Sequence, residues 1–158
     1  MNKPAVLAQI LEQLKAELAL FTATAQATHD EATHEENKAE DKYDTRGLEA
    51  SYLAMGQAKQ AEEAQQAVQT FEALTPRNFG PGEAISLGAL VVLEGKERNS
   101  YFIGPRAGGT GIEADGQSVL VITPQSPLGR QLMGRKQGDA LQLDLGGKRS
   151  DYRVASVV

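Results

Sequence analysis

Glu40, Asp41 and Asp44 are the residues whose types and spacing come nearest to a chemical centre. A spacing of three sets the two aspartates on one helical face, or close together across a turn. Carboxylate oxygens are hard donors, and a merely solvated acidic surface fits the same pattern. Other groupings fall short. His29 and His34 are five apart, not the four that stacks ligands on a helix. Asp30 and His34 have that spacing, but two ligands are too few for a closed zinc site. The chain has no cysteine, which excludes disulfides, thiolate zinc sites and cysteine nucleophiles. The glycine run at 104–111 lacks the Gly-Lys-Ser/Thr ending of a phosphate loop and reads as a mobile strand connection. No nucleophile–base pair stands at recognisable spacing, so hydrolase and isomerase readings rank last.

The elements that hold these residues divide the chain in two. Of its 158 residues with net charge −5, residues 1–75 carry 13 acidic and 6 basic side chains and two glycines. Residues 76–158 carry 8 acidic and 10 basic side chains and 14 glycines. The first composition favours long helices, the second short strands and turns. Between them Thr75-Pro76-Arg77-Asn78-Phe79-Gly80-Pro81-Gly82 excludes a helix. The expected domains are therefore 1–75, a linker at 76–82, and 83–158.

Asn2 caps a helix opened by Pro4, and Leu7, Leu11, Leu14, Leu18 and Phe21 recur at steps of 4, 3, 4 and 3. Beyond them the seam thins to Ala25, Thr28 and Ala32. A return arm leads from Leu48, Tyr52 and Met55 through Ala58 and Ala61 to Val68, Phe71 and Leu74. This predicts a long antiparallel helical coiled-coil hairpin with arms of roughly 35 residues, about 50 Å each. Its tip is expected between residues 37 and 47, where polar and turn-tolerant residues gather around the geometric midpoint.

Residues 89–94, 100–103, 118–123, 140–145 and 151–157 read as strands from their β-branched and aromatic content. The alternation of Leu141, Leu143 and Leu145 predicts a sheet with one wet face. Ser126, Pro127 and Gly134 suit the N-cap, first-turn and C′ positions of a short helix, whose Leu128, Leu132 and Met133 cover the dry face. The expected class is α+β, with one short helix on an antiparallel sheet. Tyr101 and Phe102 read as core rather than as a nucleic-acid stacking platform.

The run Ser126-Pro127-Leu128-Gly129-Arg130-Gln131-Leu132-Met133-Gly134-Arg135-Lys136-Gln137-Gly138-Asp139 resembles the SPLGRALLGKKxGD segment of the Gre-type bacterial transcription elongation factors. Glu113-Ala114-Asp115 resembles another short motif of their C-terminal domain. The plan is similar too: an N-terminal coiled coil of about 75 residues, then an FKBP-like domain. FKBP-like architecture carries no implication of isomerase activity, since function resides in the site. The resemblance implies docking of the C-terminal domain on bacterial RNA polymerase, with Ser126, Pro127, Leu128, Gly129, Arg130, Arg135 and Lys136 as the candidate contacts, although a merely solvated surface fits Arg130, Arg135 and Lys136 equally well. It also implies insertion of the coiled coil into the secondary channel, where tip carboxylates help hold a Mg²⁺ at the polymerase centre for cleavage of backtracked RNA. Such a factor is no enzyme by itself and has no cofactor of its own.

The tip departs from the family pattern of an Asp and a Glu three apart. Aligning the family tyrosine with Tyr52 puts Thr45 and Leu48 at the acidic positions, and no gapless match keeps both carboxylates. Asp41 and Asp44, helped by Glu40, are the candidates for the Mg²⁺ role. A channel-binding regulator or inhibitor without cleavage stimulation is the alternative, and a coiled-coil adaptor or chaperone the rival from another class. The expected partner is RNA polymerase, with nascent RNA touched only indirectly. The acidic balance argues against wrapping duplex DNA, and no sequence-specific DNA binding is expected. The apolar runs are too short for a membrane span, so the expectation is a cytoplasmic monomer.

Overall fold

Asn2 starts the first helix as the sequence predicts. Its side-chain oxygen accepts the Ala5 N–H at 3.3 Å and its carbonyl accepts the Val6 N–H at 3.0 Å, the paired bonds of an N-cap. The structure is a computed structural model that describes residues 1–33 and 46–158. Helix α1 is Lys3–Thr33 and α2 is Arg46–Ala73. Glu40, Asp41 and Asp44, with His34 and the expected turn up to residue 45, lie outside the described residues. By packing, the chain divides into Met1–Gln13 with Thr70–Val158, here the sheet unit, and Leu14–Gln69, here the helical unit. The sheet unit thus includes the first turns of α1 and the last of α2, which the composition border groups with the helices.

In the sheet unit, β1 (Leu90–Gly95), β2 (Arg98–Ile103), β3 (Gly111–Ala114), β4 (Gln117–Ile122), β5 (Ala140–Leu145) and β6 (Lys148–Val157) form one sheet. Their order is β3-β4-β2-β1-β6-β5. The class is α+β with a mixed sheet, not the purely antiparallel one expected, because β2 and β4 run parallel. After β2 the chain reverses, runs down β3 on the outside, and returns through a hairpin that lays β4 against β2. The β3 strand was not expected. It is turned into β4 at Asp115 (φ 52°) and Gly116 (φ 72°), a two-residue turn that needs both residues left-handed. The 104–111 run is not a free connection either. Gly104 and Gly109 donate to the Ile122 and Val121 carbonyls at 2.8 Å each.

The sheet has two covered faces at its centre, where one wet face was expected. Val91, Leu93, Tyr101, Ile103, Leu143 and Val154 join Leu132 in one buried cluster. The alternate residues Leu90, Val92, Phe102, Val119 and Val121 are buried too, and the Phe71 ring of α2 lies 6.2 Å from that of Phe102. A Cβ on Gly104 would come within 2.8 Å of the Phe71 ring, so only glycine lets that ring settle. Val6 and Ile10 are fully buried in the same unit. The alternation of wet and dry survives toward the sheet's two edges, in β3 at one and in β5 and β6 at the other.

In the helical unit, Leu14 is buried and Leu18, Phe21, Ala25 and Thr28 are half-buried, following the expected seam. The seam of α2 differs. Its covered positions include Ala50, Ala54, Gln57, Ala61, Ala64 and Val68, at steps of 4, 3, 4, 3 and 4, with Ala67 buried beside Val68. That is the heptad spacing continuing back from Phe71. Leu48, Tyr52 and Met55 centre on the other side of the helix, about 170° from the middle of that register at about 100° per residue, and are 56%, 66% and 68% exposed. A single face cannot serve both registers, and the alanine one prevails.

Candidate functional site

The short helix α3 (Pro127–Leu132) carries most of the residues expected to dock a partner. Ser126 is its N-cap: its Oγ accepts the Gly129 N–H at 3.0 Å and donates to the Thr123 carbonyl at 2.8 Å. Gly129 is buried, and a Cβ there would come to 1.8 Å of the Thr123 oxygen. Leu128 packs on the core cluster. These three residues therefore shape the helix and press it onto the sheet. Pro127, Arg130, Arg135 and Lys136 are exposed and form the part of the set able to meet another molecule.

The backbone holds the two outer cations in place. The Ile85 N–H donates to the Arg135 carbonyl at 2.7 Å, and the Gly134 N–H to the Ile85 carbonyl at 3.1 Å. Asp139 closes the following loop, its carboxylate accepting the Lys136 N–H at 2.9 Å. On the helix itself, Gln131 is tied to β5, its Oε1 accepting the Asp144 N–H at 3.0 Å. Arg130, Arg135 and Lys136 thus extend from a fixed backbone. Such a cationic patch attracts acidic protein surface and steers its approach.

A second cationic cluster lies beside the start of α1. Lys3 is only 3% exposed. Its ammonium donates to the Arg77 carbonyl at 2.6 Å and to the Val158 carbonyl at 2.8 Å, and sits 4.7 Å from the Phe79 ring centroid. The Arg77 guanidinium lies 3.9 Å from that centroid and pairs with Glu83 at 2.8 Å. Burial, and then the nearby Arg77 charge, lower the Lys3 pKa to about 8. Sequence reasoning missed this cluster. Its partners stand 74 and 155 residues away, and no local signal marks Lys3 as buried.

In the helical unit, α1 and α2 flank a groove of about 610 Å³ lined by alanines and by polar side chains such as Thr22, Gln26 and His29, with Met55 among them. Among the described residues no three His, Asp or Glu side chains gather to hold a metal. Leu48, which aligns with the family glutamate when Tyr52 is matched to the family tyrosine, offers a hydrocarbon side chain to solvent. Tyr101 and Phe102 are both buried, on opposite faces of the sheet, as core residues. Among the described residues no helix is long and apolar enough to cross a membrane.

No family model matches the chain. It is 32% identical over 124 residues to the Transcription inhibitor protein Gfh1 of Thermus aquaticus, covering 74% of this chain and 73% of that protein. The same figures hold for the Transcription inhibitor protein Gfh1 of Thermus thermophilus. Among solved structures, GreA factor homolog 1 (Gfh1) of Thermus thermophilus aligns over 94% of each chain at 24% identity, with a TM-score of 0.40. An identity of 32% across about three quarters of both sequences shows that the chain belongs to the Gfh1 family, a divergent branch of the Gre-like transcription factors.

Proposed function

We propose that this protein is an accessory factor of bacterial RNA polymerase, docking through its sheet unit and carrying its helical unit into the secondary channel to inhibit transcription. The observation that carries this reading is the 32% identity to proteins named transcription inhibitors. Leu48 agrees with it. The position that aligns with the family glutamate holds an exposed hydrocarbon that cannot coordinate a cation. Arg130, Arg135 and Lys136 supply the docking charge, with Pro127 beside them. The factor brings no bond-making group of its own and acts through the polymerase centre.

A second reading rests on the three-residue spacing of Asp41 and Asp44 next to Glu40. Those carboxylates would help hold a Mg²⁺ at the polymerase centre and promote cleavage of backtracked RNA, with the metal activating the attacking water. One experiment separates the two. Transcription and transcript cleavage are measured on stalled polymerase complexes with wild type and with an Asp41→Ala/Asp44→Ala variant. Inhibition of synthesis without cleavage supports the first reading. Cleavage that the double variant loses supports the second, and an inert wild type removes both.

A further inference from the structure

The sheet ends in two unlike edges, β3 and β5. An edge strand presents unpaired backbone donors and acceptors, on which another chain can lay a strand of its own. At one edge β3 is short, with 4 residues. At the other, β5 has 6 residues, with neither proline nor lysine to blunt it and Asp144 as its one charge. In an antiparallel ladder alternate residues bond to the neighbour, and those between direct both N–H and carbonyl away from it. Asp139 bonds to β6, accepting the Val154 N–H at 2.9 Å. Asp144 is of the other parity, and so are Gln142 and Ala140. These three carry the open edge.

Gln131, on α3, occupies the outward groups of Asp144. Its Oε1 accepts the Asp144 N–H at 3.0 Å, and its Nε2 lies 3.5 Å from the Asp144 carbonyl. The Nε2 also donates to the Pro127 carbonyl at 3.1 Å, one turn back on the same helix, which holds the carboxamide in place. A carboxamide has the donor and acceptor of a peptide group. Asp144 therefore meets the bonding pattern of a neighbouring strand with no strand there. Ala140 and Gln142 remain open, a shorter stretch than the five or six residues of an ordinary strand. The helix has no need of the amide for its own sake. Alanine is the better helix former, and it stands at this place in the family segment that residues 126–139 resemble.

We infer that Gln131 is a stop on the β5 edge, one that keeps β5 from pairing with the β5 of a second copy of this chain. That pairing is the one the edge invites. Antiparallel about a two-fold axis at Gln142, it sets each Asp144 opposite an Ala140, so no like charges meet, and it closes at a dimer. Of the three residue pairs that would exchange backbone bonds, two involve Asp144, whose N–H and carbonyl Gln131 already holds. The inference does not depend on the proposed function.

The test follows self-association of the full chain by sedimentation velocity over a range of concentrations. Wild type is compared with Gln131→Ala and with Gln131→Met, which keeps the side chain's length without its polar end. A third variant, Gln131→Ala/Gln142→Pro, removes an outward N–H and no bond to β6, as an edge strand allows. Gln131→Ala/Gln142→Lys repeats that rescue by setting like charges opposite each other, should proline unfold the strand. Circular dichroism checks the fold of each. Wild type is expected to stay monomeric and both single variants to dimerise at least tenfold more tightly, the worth of two or more backbone hydrogen bonds. The rescued variants are expected to return to wild-type behaviour. Single variants as monomeric as wild type overturn the inference and leave Gln131 as a brace for α3 alone. Dimers that neither change at Gln142 disperses overturn it too, since they form elsewhere. So does a wild type whose own dimer Gln142→Pro abolishes, because the edge is then open despite Gln131.

Discussion

The two units of this chain reach order by opposite means. In the sheet unit large branched and aromatic side chains cover both faces of β1 and β2, and the connecting loops are tied by backbone bonds. In the helical unit the covered seam of α2 is chiefly alanine, and its larger apolar residues face solvent. Burial contributes about 25 cal/mol per Å² of apolar surface, so an alanine seam gains much less than a leucine one. The sheet unit suits an anchor whose shape must not change. The helical unit leaves the large side chains of α2 near residues 48–55 uncovered.

Five substitutions test that contrast, beginning with the largest expected effect. Leu132→Ala, in the fully buried heart of the sheet unit, is expected to cost about 3 kcal/mol in urea denaturation. Gly129→Ala should cost at least as much, because its methyl has only the Thr123 carbonyl to meet. A loss below about 1 kcal/mol for both would mean that this unit is as loosely built as the other.

Next comes Lys3, whose folded pKa of about 8 lies below its ordinary 10.5. Between those values the unfolded chain binds more protons than the folded one, so stability rises with pH across that window. Below it the cost of burying the charge is present in full. Relative to Lys3→Met, the wild type should gain up to about 3 kcal/mol from pH 8 to 10.5. A difference that stays flat with pH would show that Lys3 is solvated after all. The smallest effect belongs to the helical unit. Leu48→Gln and Tyr52→Gln, each alone, should change stability by no more than about 0.5 kcal/mol. A loss of 2 kcal/mol would place those side chains in a core and erase the contrast.

Much of this was legible where a signal is local. Asn2, Ser126, Pro127 and Gly134 announce the ends of helices because caps and turns depend on a few neighbouring residues. The break at 75–82 shows for the same reason. The α1 seam could be read from Leu14 onward, where large residues are also covered ones, whereas nearer its start Val6 and Ile10 are fully buried and the expected Leu7 and Leu11 only partly covered. On α2 size and spacing disagree, and choosing by size gave Leu48, Tyr52 and Met55 in place of the alanine register that Val68 and Phe71 extend backward. The β3 strand was hidden beside a glycine run, although Asp115-Gly116 between short apolar stretches is a hairpin signal. The parallel pairing of β2 with β4, the second cover on the sheet, and the burial of Lys3 depend on groups far apart in sequence. Within 126–139, the sequence marked the short helix but not the division of labour among its residues. Which side chains shape α3 and which face outward follows from its contact with Thr123 and β5. The acidic residues 40, 41 and 44 are known by spacing alone.

The strand order has a consequence for how the protein is made. β6 is the last strand of the sheet to leave a ribosome, yet it lies between β1 and β5 and bonds to both. Until it emerges, β1 and β5 each present an open edge, the kind of surface on which nascent chains aggregate. Helix α1, made before the sheet, must wait for β6 and the residue after it before Lys3 can reach the Val158 carbonyl. Synthesis from one end to the other therefore delivers the keystone last.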